Sequence, residues 1–105
     1  MKNSLINYYT PLPNCIDIKK SQIHGRGLFA TERIPEGLIL GITHIEDDRF
    51  RDGLIRTEIG GYFNHSETPN CEIITFGDIK FLKTIEPIDV GEEITARYTI
   101  YIPNK

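Results

Sequence analysis

The feature that most constrains the fold of this 105-residue chain is a pair of β-branched runs at 71–76 and 79–85. Only Gly77 and Asp78 separate the two runs. A connection this short between two β-branched runs is typical of a β-hairpin. Residues 71–85 are therefore predicted to form an antiparallel hairpin.

Other short strands are predicted before and after the hairpin. Ile16 and Ile18 alternate with Cys15, Asp17 and Lys19, which indicates a half-buried strand. The run at 38–42 is short and apolar, and residues 92–98 supply a final strand. The chain is therefore predicted to be mostly β, with no helix longer than a few turns.

Residues 44–56 lack this regularity. They are charged and irregular, with room for a single helical turn. Because His44 has no ligand partner near it in sequence, we expect it to be a surface histidine.

The length of the chain allows one domain with a single modest core. Pro11 and Pro13 favour an extended backbone, so we predict an N-terminal arm at 1–14 and one domain at 15–105. The hydrophobic content of 39% and the charged content of 26% are those of an ordinary globular protein. The net charge of −3 argues against a nucleic-acid-binding protein, which would normally carry a basic stripe, and is compatible with a basic peptide partner.

The cysteines and the hydropathy pattern predict the cellular setting. Cys15 and Cys71 are far apart, have no zinc-site spacing and are expected to be reduced in the cytosol. No apolar run approaches the roughly 20 residues that span a bilayer, and no signal peptide is recognisable. We expect an intracellular protein that is not secreted, is not attached to a membrane and binds no metal ion.

The segment 61–71 combines many restrictive residue types. Two aromatic residues precede Asn64, His65 and Ser66, each of which can both donate and accept hydrogen bonds. Pro69 and Asn70 close the run as a turn, since proline fixes φ and asparagine tolerates left-handed geometry. The pattern suits either a site for a polar ligand with a flat ring or a surface turn with an ordinary helix N-cap.

A second segment, 24–29, carries a Gly-x-Gly motif. Gly25 and Gly27 on either side of Arg26 let the backbone bend sharply and approach another group closely. A lone motif of this kind is more often simply a hairpin turn. It is not a dinucleotide-binding fingerprint, because the third glycine is missing and Pro35 and Gly37 would break a long helix behind it.

Three separated segments resemble the SET domain family of protein lysine methyltransferases, over about residues 15–101. They are His24-Gly25-Arg26-Gly27-Leu28-Phe29, Phe63-Asn64-His65-Ser66 through Pro69-Asn70-Cys71, and Gly91-Glu92-Glu93-Ile94-Thr95 through Tyr98. The resemblance implies a fold of small β-sheets with a C-terminal pseudoknot. It also implies the cofactor S-adenosylmethionine.

The resemblance assigns roles to individual residues. Gly25, Arg26 and Gly27 would line the cofactor with main-chain groups. Asn64 would bind the methionine end of the cofactor, and His65 would hold the adenine, chiefly through its backbone.

The same resemblance implies that Tyr98 is the catalytic tyrosine and that Tyr62 and Tyr101 line the substrate channel. From the residues alone, Tyr98 could equally be a strand-end tyrosine that caps the core. A tyrosine hydroxyl can orient a lysine amine without being charged at neutral pH, so we expect a positioning and electrostatic role rather than that of a strong general base.

The chain departs from the family pattern in several places. Arg97 stands where the family often has aspartate, Gly61 where it commonly has arginine, and Ala96 where many members have an aromatic residue that limits methyl number. The seven residues after Tyr98 contain no cysteine for the zinc-bound segment that closes the lysine channel in many members. Tyr101 is expected to supply one wall of the channel and a second subunit the other, which predicts a homodimer.

Two functions fit these observations. The first is transfer of methyl from S-adenosylmethionine to a lysine side chain of a protein or peptide substrate. The second is a non-catalytic SET-like module that binds a peptide or another subunit.

Overall fold

The computed structural model describes residues 12–50 and 53–97. In chain order the elements of these residues are β1 (Ile16–Lys20), β2 (Arg26–Ala30), β3 (Ile39–Glu46), β4 (Leu54–Arg56), α1 (Glu58–Tyr62), β5 (Asn64–His65), β6 (Cys71–Phe76), β7 (Ile79–Thr84) and β8 (Glu93–Ala96). Short strands dominate, which confirms the predicted mostly β fold with little helix. Residues 1–11 of the predicted arm, and both Tyr98 and Tyr101, lie outside the described residues.

The strands form two four-stranded sheets, ordered β1-β2-β8-β5 and β4-β3-β7-β6. In the first sheet β8 pairs antiparallel with β2, with Leu28 opposite Ile94, and parallel with β5, with Asn64 opposite Thr95. The last strand therefore lies between the strands that carry the two upstream motifs. This order brings three segments that are distant in sequence to one place.

The predicted hairpin is confirmed in the second sheet. β6 and β7 pair antiparallel over six positions, from Cys71 opposite Thr84 to Phe76 opposite Ile79. Gly77 in the connection has a φ of +60°, a left-handed backbone that glycine adopts without steric cost.

The expectation for residues 44–56 was wrong for His44 and for the parts that form strands, whereas residues 47–50 are irregular as predicted. β3 continues through His44 to Glu46, and the single helical turn follows at 58–62 instead. His44 is fully buried, because its ring lies against α1, where a Cβ at Gly60 would come within 3.2 Å of it. The bulges in β3 and its charged neighbours obscure the two-residue alternation that would have revealed a strand.

One hydrophobic cluster joins the two sheets. Leu28 and Ile94 of the first sheet and Leu82 of the second are completely buried. Ile34 and Ile88 add a bridge between two loops, with reciprocal backbone hydrogen bonds of 2.8 Å. The core therefore holds in place the first sheet, whose strands β2, β5 and β8 carry the three motifs.

The second sheet has an apolar outer face, which we define by seven residues. The register aligns Ile55, Ile45, Ile79 and Phe76 in one row across the four strands, and Ile42, Phe81 and Ile74 in the next. These positions alternate with the buried ones, so they face away from the core. Phe76 is 78% exposed and the other six side chains are partly buried. Neither row contains a charged residue.

Both cysteines are free thiols. Burial raises the pKa of the Cys71 thiol to about 12. Within residues 12–50 and 53–97, the structure contains no helix with the length and hydropathy of a membrane span.

The short helix α1 depends on two local contacts. Thr57 caps its N-terminus, since the Thr57 side chain accepts a hydrogen bond of 3.1 Å from the amide of Gly60. Gly60 packs directly on β3, where a Cβ atom would lie 2.1 Å from the Thr43 carbonyl oxygen. Gly61, the next residue, has open space around the same position.

These neighbouring glycines give a stability prediction with an internal control. Gly60→Ala is expected to destabilise the fold by about 1–3 kcal/mol, because its Cβ overlaps a backbone oxygen that only a shift of β3 can move. Gly61→Ala adds the same methyl group in open space, and should be neutral or stabilising by up to about 1 kcal/mol, since alanine favours helix. Urea unfolding of both variants measures the difference. Equal free energies of unfolding would contradict this packing.

Candidate functional site

The side chain of Asn64 connects the three motif segments. Its Nδ2 donates to the carbonyl oxygens of His24 at 3.1 Å and Arg26 at 3.2 Å, and to Oε2 of Glu93 at 2.7 Å. Asn64 is 4% exposed. The Gly-x-Gly segment, the Asn-His segment and the Glu-Glu-Ile-Thr segment therefore meet at one amide group.

The carboxylate of Glu93 is the second centre of this network. The Ser21 hydroxyl donates to it, with its Oγ lying 2.8 Å from Oε1 and 2.9 Å from Oε2. The same Oγ accepts a hydrogen bond of 2.9 Å from the amide of Ile23, within the turn before β2. No basic side chain of the described residues forms an ion pair with Glu93. Neutral donors thus hold a negative charge that is partly buried.

The two glycines of the Gly-x-Gly motif serve different purposes. Gly25 has a φ of +48° and closes the β1–β2 turn, where its carbonyl oxygen accepts a hydrogen bond of 2.7 Å from the Ser21 amide. At Gly27 a Cβ atom would lie 2.1 Å from Oε2 of Glu93 and 3.0 Å from Nδ2 of Asn64. The motif is therefore both a hairpin turn and a place of close approach to another group.

Asn70 fixes β8 from the other side. Its Nδ2 donates to the Glu93 carbonyl oxygen and its Oδ1 accepts from the Thr95 amide, both at 2.9 Å. The side chain thereby continues the edge that β5 forms along β8. The left-handed geometry considered for Asn70 is wrong, because no non-glycine residue among those described has a positive φ.

The loop after Asn64 is attached to the end of β8. The amide of Ser66 donates to the Ala96 carbonyl oxygen at 3.2 Å, and Arg97 donates to the Glu67 carbonyl oxygen at 2.9 Å. His65 Nε2 lies 2.6 Å from Oε2 of Glu67. This hydrogen bond, with the attraction of the Arg97 guanidinium, lowers the pKa of Glu67.

The predicted site residues divide into three groups. The structure brings Gly27 and Asn64 into the network around Glu93, with Gly25 and Arg26 in the adjoining backbone. Tyr62 ends α1 and is 39% exposed. Tyr98 follows Arg97, the last described residue of this segment, and its side chain and that of Tyr101 lie outside the described residues.

Ser21 and Glu93 are members of the site that sequence reasoning did not single out. Glu93 belongs to the third motif, but the sequence does not indicate whether Glu92 or Glu93 faces the other two motifs. The structure shows that Glu92 is exposed, with its Oε1 accepting a hydrogen bond of 2.6 Å from the Asp89 amide. In β8, Ile94 and Ala96 point into the core while Glu93 and Thr95 lie on the other side of the strand, and this alternation was the available signal.

No metal centre is formed by the part of the chain described. Its His, Cys, Asp and Glu side chains make no group of three or more that could hold a metal ion. The polar atoms that converge at Asn64 and Glu93 are amide, carbonyl, hydroxyl and carboxylate groups.

The lowered pKa of Glu67 predicts a pH dependence. Because the folded pKa lies below the ordinary value of 4.5, its stabilising contribution is present above that pH and is lost as the pH falls through the folded pKa. Urea unfolding between pH 6 and pH 3 should show a difference between wild type and Glu67→Gln that shrinks on acidification. By carboxyl NMR titration, His65→Gln should raise the pKa of Glu67 more than Arg97→Gln does. The reverse order would contradict the dominance of the His65 hydrogen bond.

The comparisons with known proteins agree with this fold. The SET domain family model matches residues 42–99, more than half of the chain. The chain is similar to the crystal structure of a Plasmodium falciparum protein described as a candidate histone methyltransferase, with a TM-score of 0.69 and 21% identity over 83% of this chain and 95% of that one. It is also similar to the methyltransferase domain of human PR domain-containing protein 2, with a TM-score of 0.65 and 17% identity over 87% of this chain and 81% of that one.

A search of curated proteins gave no significant match. The structural likenesses confirm the SET-type fold of small β-sheets, and the family match covers both β5 and β8. The chain belongs to the SET domain family.

Proposed function

We propose that this protein is a protein lysine methyltransferase that uses S-adenosylmethionine as its methyl donor. The observation that carries the proposal is the convergence of the Gly-x-Gly backbone, the amide of Asn64 and the strand that leads to Tyr98. Family membership supports methyltransferase chemistry in general. That the methyl acceptor is a lysine, and that the substrate is a protein, is inferred from the resemblance of the three motifs to those of protein lysine methyltransferases.

The residues present fit the charge of such a cofactor. Asn64 commits its Nδ2 to three acceptors, and its Oδ1 accepts no hydrogen bond within the described part of the chain. Glu93 adds a carboxylate without a basic partner among the described residues. The Oδ1 acceptor of Asn64, next to the negative charge of Glu93, suits the ammonium and the sulfonium of such a ligand, whose methionine end also carries a carboxylate.

Gly25, Arg26, Gly27, Asn64 and His65 would hold this cofactor. When bound, S-adenosylmethionine supplies a methyl group activated by a positively charged sulfur. Gly25 has no atom within 4 Å of the position of a Cβ, so the backbone there can be approached closely. The His65 backbone is held in β5 beside Ala96, which keeps the edge that would meet the adenine in a fixed place.

The substrate side of the mechanism depends on Tyr98, Tyr62 and Tyr101. The lysine amine must be neutral to act as a nucleophile, although its ordinary pKa is about 10.4. Burial in an apolar channel beside a cationic cofactor lowers that pKa. Tyr98 would then orient the amine in line with the methyl group, and this alignment accounts for most of what the protein contributes to the rate.

We further propose a C-terminal pseudoknot, a domain boundary at residue 15 and an intracellular location. A pseudoknot at the C-terminal end is consistent with β8 lying between β2 and β5 and with its attachment to the 64–70 loop. The domain boundary at residue 15 lies close to Leu12, which packs against the core, so the end of the proposed arm contacts the domain. The intracellular location is proposed on the basis of the sequence alone.

Methyl transfer to a pool of basic peptides and proteins, followed with labelled S-adenosylmethionine, tests the function. Tyr98→Phe is expected to reduce the rate about 10²-fold or more, while cofactor affinity by calorimetry stays near that of wild type. Tyr9→Phe makes the same chemical change in the proposed arm and should transfer normally.

Two outcomes would count against the enzyme. Transfer by Tyr98→Phe at the wild-type rate would remove the proposed role of this tyrosine. Absence of both transfer and cofactor heat in wild type would favour the alternative, a non-catalytic module that binds a peptide or a subunit.

We also propose a homodimer, formed through the outer face of the second sheet. Two rows of this face lack charge, so the face suits an apolar partner surface, and the same face on a second copy provides one under a two-fold rotation. An exposed apolar patch of this kind commonly marks an interaction site.

Light scattering at micromolar concentration should give the mass of a dimer for wild type and of a monomer for Phe76→Asp. Phe76 is 78% exposed, so the new charge costs the isolated fold little. Val90→Asp, at a position 62% exposed outside the face, is the matched control and should remain dimeric. A monomeric wild type would remove the dimer, and a dimeric Phe76→Asp would exclude this face.

A further inference from the structure

We propose that Glu93 is a positioning residue that sets the orientation of the Asn64 amide in the cofactor site. The inference rests on the proposed function, because it concerns how the same site receives S-adenosylmethionine. It assigns a role to a side chain whose hydrogen bonds join it to Ser21 and Asn64. Its basis is the hydrogen-bond geometry around one amide.

An asparagine amide can face either way, and its surroundings decide which atom lies where. Here three acceptors surround one end of Asn64, namely two carbonyl oxygens and Oε2 of Glu93. Only the NH₂ group can face three acceptors, so Oδ1 must face the other way. The Glu93 contact is the shortest of the three at 2.7 Å, and it is the only one with a charged acceptor.

The position of Glu93 is itself fixed from several sides. Ser21 binds both carboxylate oxygens, and the absent side chain of Gly27 leaves the space in which Oε2 lies. The backbone of Glu93 pairs with Phe29 in β2 and its carbonyl oxygen is bound by Asn70. Because the carboxylate is fixed in place, its hydrogen bond to Nδ2 also fixes the orientation of the Asn64 amide.

The role explains why three segments carry these residue types. Besides the two carbonyl oxygens, the Asn64 amide has a third acceptor, the Glu93 carboxylate, which extends from the adjacent strand β8. Gly27 has no side chain, so the carboxylate fits beside its backbone. An Asn64 fixed by Glu93 presents Oδ1 to a cationic group such as the cofactor ammonium without reorganisation on binding. Preorganisation of this kind improves affinity by reducing the ordering cost of binding.

Calorimetry with S-adenosylmethionine provides the first measurement. Glu93→Ala is expected to weaken cofactor binding at least tenfold. Glu93→Gln keeps the shape and one acceptor oxygen, so it should fall between wild type and Glu93→Ala. Glu92→Gln changes the neighbouring exposed acid and should bind like wild type. Glu93→Ala binding with wild-type affinity would overturn the inference.

A double-mutant cycle distinguishes positioning from a separate contribution. If Glu93 acts through Asn64, then Glu93→Ala should weaken cofactor binding by less than about threefold in a protein that already carries Asn64→Ala. Fully multiplicative losses in this cycle would show that Glu93 acts independently of Asn64, and would overturn the inference.

A spectroscopic readout separates this inference from the proposed function. The side-chain amide resonances of Asn64 in the cofactor-free protein should shift and exchange faster with water in Glu93→Gln, while Glu92→Gln leaves them unchanged. Unaltered Asn64 resonances in Glu93→Gln would refute positioning even if the cofactor binds. Absence of cofactor heat in wild type would refute the proposed function, and the resonances would still decide whether Glu93 orients the amide.

Discussion

The hydrogen bonds that converge on the Glu93 carboxylate hold the candidate site together. This group is partly buried without a basic partner among the described residues, so its stability depends on the hydroxyl of Ser21 and the amide of Asn64. Each donor belongs to a different segment, and each is needed because an unsatisfied buried charge is costly. The requirement to satisfy one carboxylate therefore couples the turn before β2, the start of β5 and the start of β8.

This coupling links the site to the completion of the fold. Ser21 and Glu93 are 72 residues apart in sequence, and Asn64 and Glu93 are 29 apart. Such contacts form only after β8 has entered between β2 and β5, because loop closure must be complete before they can stabilise anything. A methyltransferase site built in this way would be absent from partly folded chains and rigid in the folded one. Rigidity suits a reaction in which the alignment of donor and acceptor sets the rate.

Local features of the chain were predictable, and the outcomes show why. The hairpin at 71–84 follows from β-branched runs and a two-residue connection, and both properties act within a few residues. Gly25 likewise reflects a local requirement, a left-handed turn. His44 was misplaced because its burial depends on α1, which packs on β3 and lies 14–18 residues further along the chain (58 − 44 and 62 − 44). A fixed alternation could not be read through the bulges in β3.

The sequence by itself determined the strand content, the hairpin and the three motifs of the SET family, because periodicity, turn chemistry and motif spacing are properties of short segments. Only the tertiary structure decided that Glu93 rather than Glu92 faces Asn64, that Gly27 is required for the approach of a carboxylate, and that two apolar rows lie next to each other on the outer face of the second sheet. These facts depend on strand order and register. A shift of register by one residue would reverse the face of every side chain in a strand, and long-range packing alone selects the register.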